Sequence, residues 1–430
     1  MKKNILLIAS TFVFASAGAQ VWDGTSAAWT EGTGSQQDPY IISTPQHLAY
    51  LNEQVDAGET YEGKYFKLAN DLDMGYSEGQ KFDPIGFFDE YQDPENQGQM
   101  IDNSKYFLGV FDGNYKTIDN INVYFIDNVN EVGGTGLFAC ISKNAEIKNL
   151  TLGENSTIEG TWGTGTIVGA MTGGKVYNCV NKSSFNITEA MGQGGIVGLV
   201  YGGTVSCCVN ESDLIGYSNF GGIAGFVDRG AKIENCYNTG DLEYGGLMVG
   251  GIIGYLVNGT VSNCYDTGKV SSDGLYAYAV VGSTDFGVTI DNCYYLENEG
   301  VTDENTGVTA KTDAEMKSAD FLAALDNGQG VWVADGQGVN NGYPILKWQA
   351  DVASSIGSVT AVQAGRIIVN GHYVSTTDGG KCRIVVTGLD GRIVADATVD
   401  GGEVYVAGSG IYVATIYKDG TEYSAKVVIR

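Results

Sequence analysis

The sequence predicts an all-β protein, built mainly as a right-handed parallel β-helix with about 28 residues per coil, short capping helices and a small C-terminal β-sandwich. Two periodic features support this prediction. Cysteines recur at steps of 29, 28, 28 and 29 residues, at Cys179, Cys208, Cys236, Cys264 and Cys293. Glycines that close short apolar runs recur with nearly the same period, at Gly169, Gly198, Gly225, Gly254 and Gly282. A repeat of this length indicates one supersecondary unit stacked on copies of itself.

Each repeat consists of short β-branched stretches separated by Gly, Asn and Asp turns, as residues 221–240 illustrate. Apolar residues within it show no helical spacing. We therefore expect three short strands and three turns per coil, with successive coils about 4.8 Å apart. Residues 135–150 fit the same frame, with leucine at the cysteine position.

Asparagine precedes the cysteine position in five of six coils, at Asn149, Asn178, Asn235, Asn263 and Asn292, and Cys207 is the exception. Asparagine tolerates left-handed backbone, and its amide can bond to the copies above and below, so we expect a ladder of amides at a sharp bend. The cysteines could form a metal array, but Cys-x-x-Cys pairs and neighbouring histidines are lacking. We expect buried, free thiols that fill the core.

The two ends of the chain differ from the repeats. Residues 1–19 have the pattern of an export signal, with two lysines, an apolar core and small residues before Gln20. That core is too short for a membrane span, and no later apolar stretch reaches the ~18 residues that a span needs. Around residue 353 the pattern changes to short strands with tight turns, which predicts the β-sandwich. The expected division is a signal peptide at 1–19, an N-terminal cap with irregular coils at 20–130, regular repeats at 131–300, a C-terminal helix and closing segment at 301–352, and the sandwich at 353–430.

The net charge of −27 is unevenly distributed. Removing Lys2 and Lys3 with the signal makes it −29, and residues 353–430 hold seven basic and seven acidic residues, so the whole excess lies in residues 20–352. Such acidity argues against binding to nucleic acid and to anionic lipid.

Two helices flank the repeats. The first begins after Thr44, with Pro45 in its first turn, and ends at Gly58. The second begins with a capping box of Thr312 and Glu315 and ends at Asn327. Both are expected to close the solenoid at its ends.

Several segments share the pattern of a known family. They are residues 38–48, 65–73, 84–86 and 109–114, the Gly-Gly-Ile-x-Gly repeats and the closing residues 341–348. Together they resemble exported β-helical proteins of the Bacteroidetes that carry GLUG-type repeats. This resemblance implies the β-helix architecture and a surface or adhesin-like role, and it implies no particular activity.

The tail resembles a type IX secretion sorting domain of type A. The resemblance rests on residues 388–394, 410–413 and 426–430, and the motif residues are Gly410, Tyr412, Lys426 and Val427. It implies that residues 353–430 engage the type IX secretion machinery after export to the periplasm. The chain would then be secreted or attached to the outer cell surface, with the tail removed.

Parallel β-helices often act on polysaccharides, so a lyase or hydrolase is the alternative function. Such sites combine clustered carboxylates with arginine, lysine or histidine. Arg229 is the only arginine in residues 20–352, and His47 and His372, the only histidines, lie on the predicted cap helix and in the tail. We therefore expect no catalysis, unless an acidic cluster converges with Arg229 and a lysine in one groove.

Two binding sites remain to be considered. Asp71 and Asp73 resemble the first half of a calcium loop but lack its later glutamate, so a polar turn is the simpler interpretation. Tyr237, Tyr265 and Tyr294 each follow a cysteine of the repeat. If the cysteines point inward, these tyrosines form an outward ladder that could bind glycan or a host protein, or could simply stiffen the sheet. The predicted function is a secreted or cell-surface, non-catalytic, adhesin-like protein that binds such ligands through its sheet faces.

Overall fold

The computed structural model describes most of the chain beyond the proposed signal peptide. The described residues are 22–75, 80–96, 98–126, 134–185, 187, 190–244, 246–272, 276–297, 301–356, 367–370, 372–376, 380–388, 392–406, 410–418 and 421–429. The proposed signal peptide therefore lies outside the described residues, as do residues 357–366 at the start of the tail.

The repeats form a parallel β-solenoid, as the period predicts. A regular coil contains five short strands rather than the expected three, because two of the expected turns are further strand segments of two to four residues. Six coils contribute to the sheet that we call the front sheet. Its strands are Phe138–Ile141, Val168–Met171, Val197–Val200, Ala224–Val227, Ile253–Leu256 and Val281–Thr284.

The second sheet is folded into two legs, and we call it the bent sheet. Two long strands, Val110–Asp119 and Glu146–Leu152, run through both legs. The first leg continues with Lys175–Tyr177, Thr204–Ser206, Ala231–Glu234, Gly259–Ser262 and Thr289–Asp291. The second leg continues with Val180–Asn181, Val209–Asn210, Tyr237–Asn238, Tyr265–Asp266, Cys293–Leu296 and Val308–Lys311.

Shorter sheets complete the cross-section. Two three-stranded side sheets contain Asn122–Tyr124, Thr157–Glu159 and Ser184–Phe185, and Leu214–Gly216, Leu242–Tyr244 and Val270–Ser272. The five-stranded return sheet contains Thr164–Gly165, Met191–Gly194, Ser218–Gly221, Val249–Gly250 and Ala277–Tyr278.

The repeated residues stack in register along the axis. The five periodic cysteines are all fully buried and unpaired, and they line one column of the core. The backbone N–H groups of Cys208 and Cys236 each lie 3.4 Å from the sulfur of the cysteine in the next coil. The thiols therefore fill the core as small apolar groups, as expected.

The bend between the two legs is made by left-handed residues. Asn149, Asn178, Asn235, Asn263 and Asn292 have φ between 51° and 54°, and Cys207 takes φ 52° at the same position. The Nδ2 of Asn178 donates to Oδ1 of Asn149 at 3.0 Å, and Asn292 donates to Asn263 at 2.7 Å. Asparagine is favoured here because its side chain tolerates this backbone and bonds to its copy.

A second amide ladder, which was not predicted from the repeats, lies inside the second leg. The side chains of Asn181, Asn210 and Asn238 are fully buried, and each donates to the residue one coil further on, over 2.7, 2.6 and 2.8 Å. The last acceptor is the carboxylate of Asp266. Each Asn amide also donates to the carbonyl two residues later, so every buried N–H of the ladder is satisfied.

The periodic glycines are required by a close approach of backbones. A Cβ on Gly225 or Gly254 would clash with backbone atoms of the return strand in the preceding coil. The front sheet can therefore approach the return sheet only where no side chain intervenes. This explains why the glycines share the period of the cysteines.

The N-terminal part caps the first coils. Helix α1 (Pro45–Asp56) begins at Thr44, whose side chain accepts from the N–H of His47, and the helix buries Leu48, Leu51 and Val55. Three short strands and an antiparallel hairpin accompany it: Tyr40–Ile42, Tyr65–Leu68 and Leu72–Asp73, with hairpin strands Glu90–Gln92 and Met100–Asp102. The hairpin region lies over the front sheet, where Phe88 packs against Cys140, Ala170 and Leu199.

The second predicted helix is two short helices, α2 (Asp313–Met316) and α3 (Ala319–Asp326). Thr312 and Glu315 form the predicted capping box, and Asn327 ends α3 in left-handed conformation. An antiparallel pair of strands, Trp332–Val333 and Ile345–Leu346, and helix α4 (Lys347–Ile356) follow. Among the described residues, no helix has the length and apolar character needed to cross a bilayer.

The tail forms two antiparallel sheets with a common core, as predicted. One sheet contains Ile367–Asn370, Tyr373–Thr376 and Val404–Tyr405, and the other contains Lys381–Gly388, Ile393–Asp400, Gly410–Lys418 and Thr421–Ile429. Val374 and Val404 of the first sheet and Ile384 and Ile416 of the second are buried in this core.

Candidate functional site

The tyrosine ladder exists, but it is not a ligand-binding surface. Tyr237 and Tyr265 point away from the core, and their rings stack with centroids 5.0 Å apart and an interplanar angle of 9°. Their exposed fractions are only 1% and 0%. The prediction of an exposed strip was wrong because the chain's own closing segment covers these rings.

The closing segment binds the ladder through both apolar and polar contacts. Trp332 packs against Tyr237 and Tyr265 with centroid distances of 5.9 and 5.4 Å. The Tyr265 hydroxyl donates to the Pro344 carbonyl at 2.6 Å, and Tyr237 hydrogen-bonds to Gln349. Burial raises the pKa of both tyrosines well above the usual range.

The same segment runs along the side of the solenoid rather than only closing its end. At the last coil, Phe321 packs edge-on against the half-buried Tyr294, with centroids 5.0 Å apart. At the opposite end of this segment, Trp348 stacks on Tyr115, and the indole N–H of Trp348 donates to the Cys207 carbonyl at 3.1 Å. The expected end cap is therefore a lateral strap along the second leg of the bent sheet. The two tryptophans and the tyrosine of residues 332–348 were the sequence signal for it, because such side chains need a surface to cover.

A different aromatic strip remains accessible on the front sheet. Phe226 and Tyr255 occupy the same register position in adjacent coils, with ring centroids 5.5 Å apart. Tyr201 lies beside Phe226 at 5.7 Å. All three side chains are partly exposed. We call Tyr201, Phe226 and Tyr255 the front strip.

Residue size explains where the strip begins. The outward register position of the front sheet is occupied in successive coils by Cys140, Ala170, Leu199, Phe226, Tyr255 and Ser283. Cys140, Ala170 and Leu199 lie under Phe88 of the hairpin region, Phe226 packs at the edge of this cluster, and Tyr255 follows in the next coil. Sequence reasoning missed the strip because its residues differ in type from coil to coil.

Arg229 joins the hairpin to the front strip. Its guanidinium lies 4.5 Å from the centre of the Tyr201 ring, and its Nη1 contacts both carboxylate oxygens of Glu90 at 3.0 and 3.3 Å. Arg229 has φ 57°, a left-handed conformation that an arginine rarely adopts. Burial raises the pKa of Tyr201 to about 12, and Phe88 of the hairpin region also stacks on this ring, with centroids 6.4 Å apart.

A second carboxylate lies at the other end of the strip. The Tyr255 hydroxyl donates to Oδ1 of Asp285 at 2.8 Å, and this hydrogen bond raises the pKa of Tyr255. The neighbouring Phe286 is fully exposed. The front strip thus combines aromatic rings that meet edge to face, at interplanar angles of 64° and 84°, with carboxylates, a chemistry suited to binding sugar rings and polar substituents.

The residues weighed for catalysis do not converge. Arg229 is engaged by Glu90 and Tyr201, and it forms no ion pair with a second carboxylate of the described residues. His47 lies on α1, where its Nδ1 accepts from the Ser43 backbone N–H, and burial lowers its pKa. No group of three or more His, Cys, Asp or Glu side chains in the described part of the chain could hold a metal ion.

Asp71 and Asp73, the calcium candidates, both serve as hydrogen-bond acceptors in the first coils. Asp71 accepts from the Thr117 N–H at 2.8 Å. Asp73 accepts from the Gly75 N–H at 2.9 Å and from Nδ2 of Asn120 at 2.8 Å. Their positions agree with the simpler interpretation of a polar turn.

The sorting-motif residues lie on the last two strands of the tail. Tyr412 pairs with Val427 and Val413 pairs with Lys426 in the antiparallel register, and Gly410 pairs with Ile429. Val427 is buried in the tail core. Their role in sorting stays a prediction.

Comparison with known proteins finds similarity in the repeats. Residues 216–243 match the family model described as the GLUG motif, and they correspond to one coil of the solenoid. The chain is 30% identical over 166 residues, 38% of its length, to a protein of Evansella cellulosilytica provisionally named a Gly-rich membrane protein. It is 29% identical over 167 residues, 36% of its length, to halomucin of Haloquadratum walsbyi. The matches span only 16% and 2% of these relatives.

Among solved structures, the chain is similar to a Bacteroides ovatus protein provisionally described as an immunoglobulin A1 protease. The sequence identity is 21%, the TM-score is 0.49, and the alignment covers 74% of this chain and 95% of that one. The comparisons thus identify a GLUG repeat within a β-solenoid.

Proposed function

We propose that this chain is a non-catalytic, adhesin-like protein of the cell surface that binds a glycan polymer on its front sheet. The observation that carries the proposal is the front strip: aromatic faces on adjacent coils, partly exposed and bordered by Glu90 and Asp285. The three rings lie 5.5–5.7 Å apart and meet edge to face, so they offer separate aromatic contacts, one after another along the axis, to a polymer of rings.

Surface display is supported by the names of the relatives, a Gly-rich membrane protein and halomucin. The acidity of residues 20–352 fits this setting, because strong like charge keeps an extended protein soluble and free of self-association. We also propose that residues 1–19 and the tail direct export, the latter through type IX secretion.

The binding proposal is tested with a glycan array. We expect Phe226→Ser combined with Tyr255→Ser to abolish binding that the unaltered protein shows, because both aromatic rings on the outward column of the front sheet are then lost. The control is Tyr217→Ala, which removes an exposed tyrosine that lies outside the front strip. Equal binding by the double variant and the unaltered protein would refute the proposal.

The export proposal needs a separate test. Removal of residues 353–430 is expected to retain the protein in the periplasm of a host with type IX secretion, whereas the full chain reaches the surface. Surface labelling and fractionation measure the difference. Surface arrival of the truncated chain would contradict the role of the tail and would leave the glycan proposal intact.

A further inference from the structure

One cationic side chain, Arg229, already lies against the front strip, and its contacts show how this surface can bind a positively charged group. The Arg229 guanidinium stacks on Tyr201 and pairs with Glu90. An aromatic face supplies cation–π attraction and a carboxylate supplies the counter-charge, two contributions that add at a partly exposed site. Arg229 is therefore an internal example of the chemistry that this surface favours.

The same combination recurs further along the axis. Tyr255 lies two coils beyond Tyr201, and its hydroxyl is bonded to Asp285. Asp228 stands at the position equivalent to Asp285, two coils earlier, which places the two carboxylates about 10 Å apart along the axis. Both carboxylates raise the pKa of Tyr255, so both act on the surface around its ring. Within the described residues, neither Asp228 nor Asp285 forms an ion pair with lysine or arginine.

We propose that the glycan bound by the front strip carries protonated amino groups, as in a polymer of amino sugars. Its rings stack on Phe226 and Tyr255, and its ammonium groups pair with Asp228 and Asp285. This inference rests on the proposed function and specifies its ligand class. Charge complementarity favours it, because residues 20–352 carry the whole negative excess of the chain and would repel polymers of uronic acids.

A basic peptide offers similar charge, but the geometry favours the glycan. The rings of Phe226 and Tyr255 are one coil apart and the carboxylates of Asp228 and Asp285 are two coils apart along one axis, a spacing that suits a polymer of rings with regularly placed substituents. A peptide partner is therefore treated as an outcome of the test.

The experiment is calorimetric titration of the full chain with hexamers of glucosamine, N-acetylglucosamine and galacturonic acid, and with a deca-arginine peptide. We expect the glucosamine hexamer to bind most tightly, with affinity that falls as salt rises. The variant Asp228→Asn with Asp285→Asn is expected to weaken glucosamine binding by about two- to five-fold per carboxylate. It should leave N-acetylglucosamine binding unchanged. The matched control, Glu154→Gln with Asp320→Asn, removes two exposed charges elsewhere and should have no effect.

Each other outcome overturns the inference in a distinct way. Equal affinity for the acetylated and the free amino hexamer, or indifference to the Asp228 and Asp285 substitutions, would refute the requirement for amines. Binding that still depended on Phe226 and Tyr255 would then leave the general glycan proposal standing. Tighter binding of deca-arginine than of any hexamer would assign the strip to a basic protein partner instead.

Discussion

Single residues in this solenoid act through columns, and Asp266 ends the buried column of asparagines in the second leg. The side chains of Asn181, Asn210 and Asn238 are hydrogen-bonded from each coil to the next. The Asp266 carboxylate accepts from Asn238 at 2.8 Å and from the Gly268 N–H at 3.1 Å. Burial raises the pKa of Asp266 well above its usual range. Asp266 thus has a carboxylate at the position where the preceding three coils have the amide of an asparagine.

We predict that Asp266→Asn stabilises the protein at neutral and alkaline pH. The folded pKa lies above the unfolded value of about 4, so folding holds the proton more tightly, and stability falls as pH rises through the folded pKa, by on the order of 1.4 kcal/mol per unit of pKa difference. The asparagine can make the same bonds without titrating. Urea unfolding between pH 4 and pH 9 measures the effect, with Glu154→Gln as the control for lost charge. A parallel pH profile for Asp266→Asn and the unaltered protein would contradict the prediction.

Cys207 interrupts the ladder at the bend. It adopts φ 52° without the amide that its equivalents use, and Asn178 has no asparagine in the next coil to bond with. We predict that Cys207→Asn raises the free energy of unfolding by about 1 kcal/mol, because left-handed backbone costs most residues roughly 1–2 kcal/mol and asparagine less. The reverse exchange, Asn263→Cys, should destabilise by a similar amount. Chemical denaturation measures both, and a loss of stability in Cys207→Asn would count against the argument.

At the scale of elements, the strap over the tyrosine ladder shows where sequence reasoning stops. The coils, the cysteine column and the asparagine bend were predictable because each repeats with one period, and the same position meets the same neighbours. The contact of Tyr237 with Trp332 joins residues that no period relates, so the sequence alone placed the tyrosine outward correctly but left its partner unknown. The front strip was not predicted because Phe226 and Tyr255 are the only aromatic residues in their column, so the position shows no repeated residue type.

We predict that Trp332→Ala loosens the strap. Trp332 is 3% exposed, and its indole N–H donates to Asn235 at 3.2 Å, so its removal leaves a cavity beside both tyrosines and an unsatisfied amide. The expected loss is about 3–5 kcal/mol of stability, or local opening of the strap if the coils hold. Alkaline spectroscopic titration should then show two tyrosines ionising at lower pH than before. Phe286→Ala, which removes a fully exposed ring, is the control and should change neither quantity.

At the scale of the whole molecule, the distribution of charge sets the response to salt. The negative excess resides in residues 20–352, while the tail is balanced, so like charges repel one another along the solenoid. The screening length falls from about 30 Å at 0.01 M salt to about 3 Å at 1 M, which removes this repulsion between coils. Salt should therefore stabilise the fold and, by the same screening, weaken attraction to a cationic ligand.

We predict that the Tm of the protein rises by several degrees between about 0.01 M and 0.5 M sodium chloride, while its affinity for the glucosamine hexamer falls over the same range. Repulsion within the solenoid and attraction to an amine are both electrostatic, so screening changes them in opposite directions. Calorimetry measures both quantities on one sample, and sucrose at equal osmolarity is the uncharged control for the affinity. A Tm that fell with salt would show that attractive ion pairs such as Lys182 with Glu211 outweigh the net repulsion. An affinity that did not respond to salt would place the bound ligand among the neutral glycans.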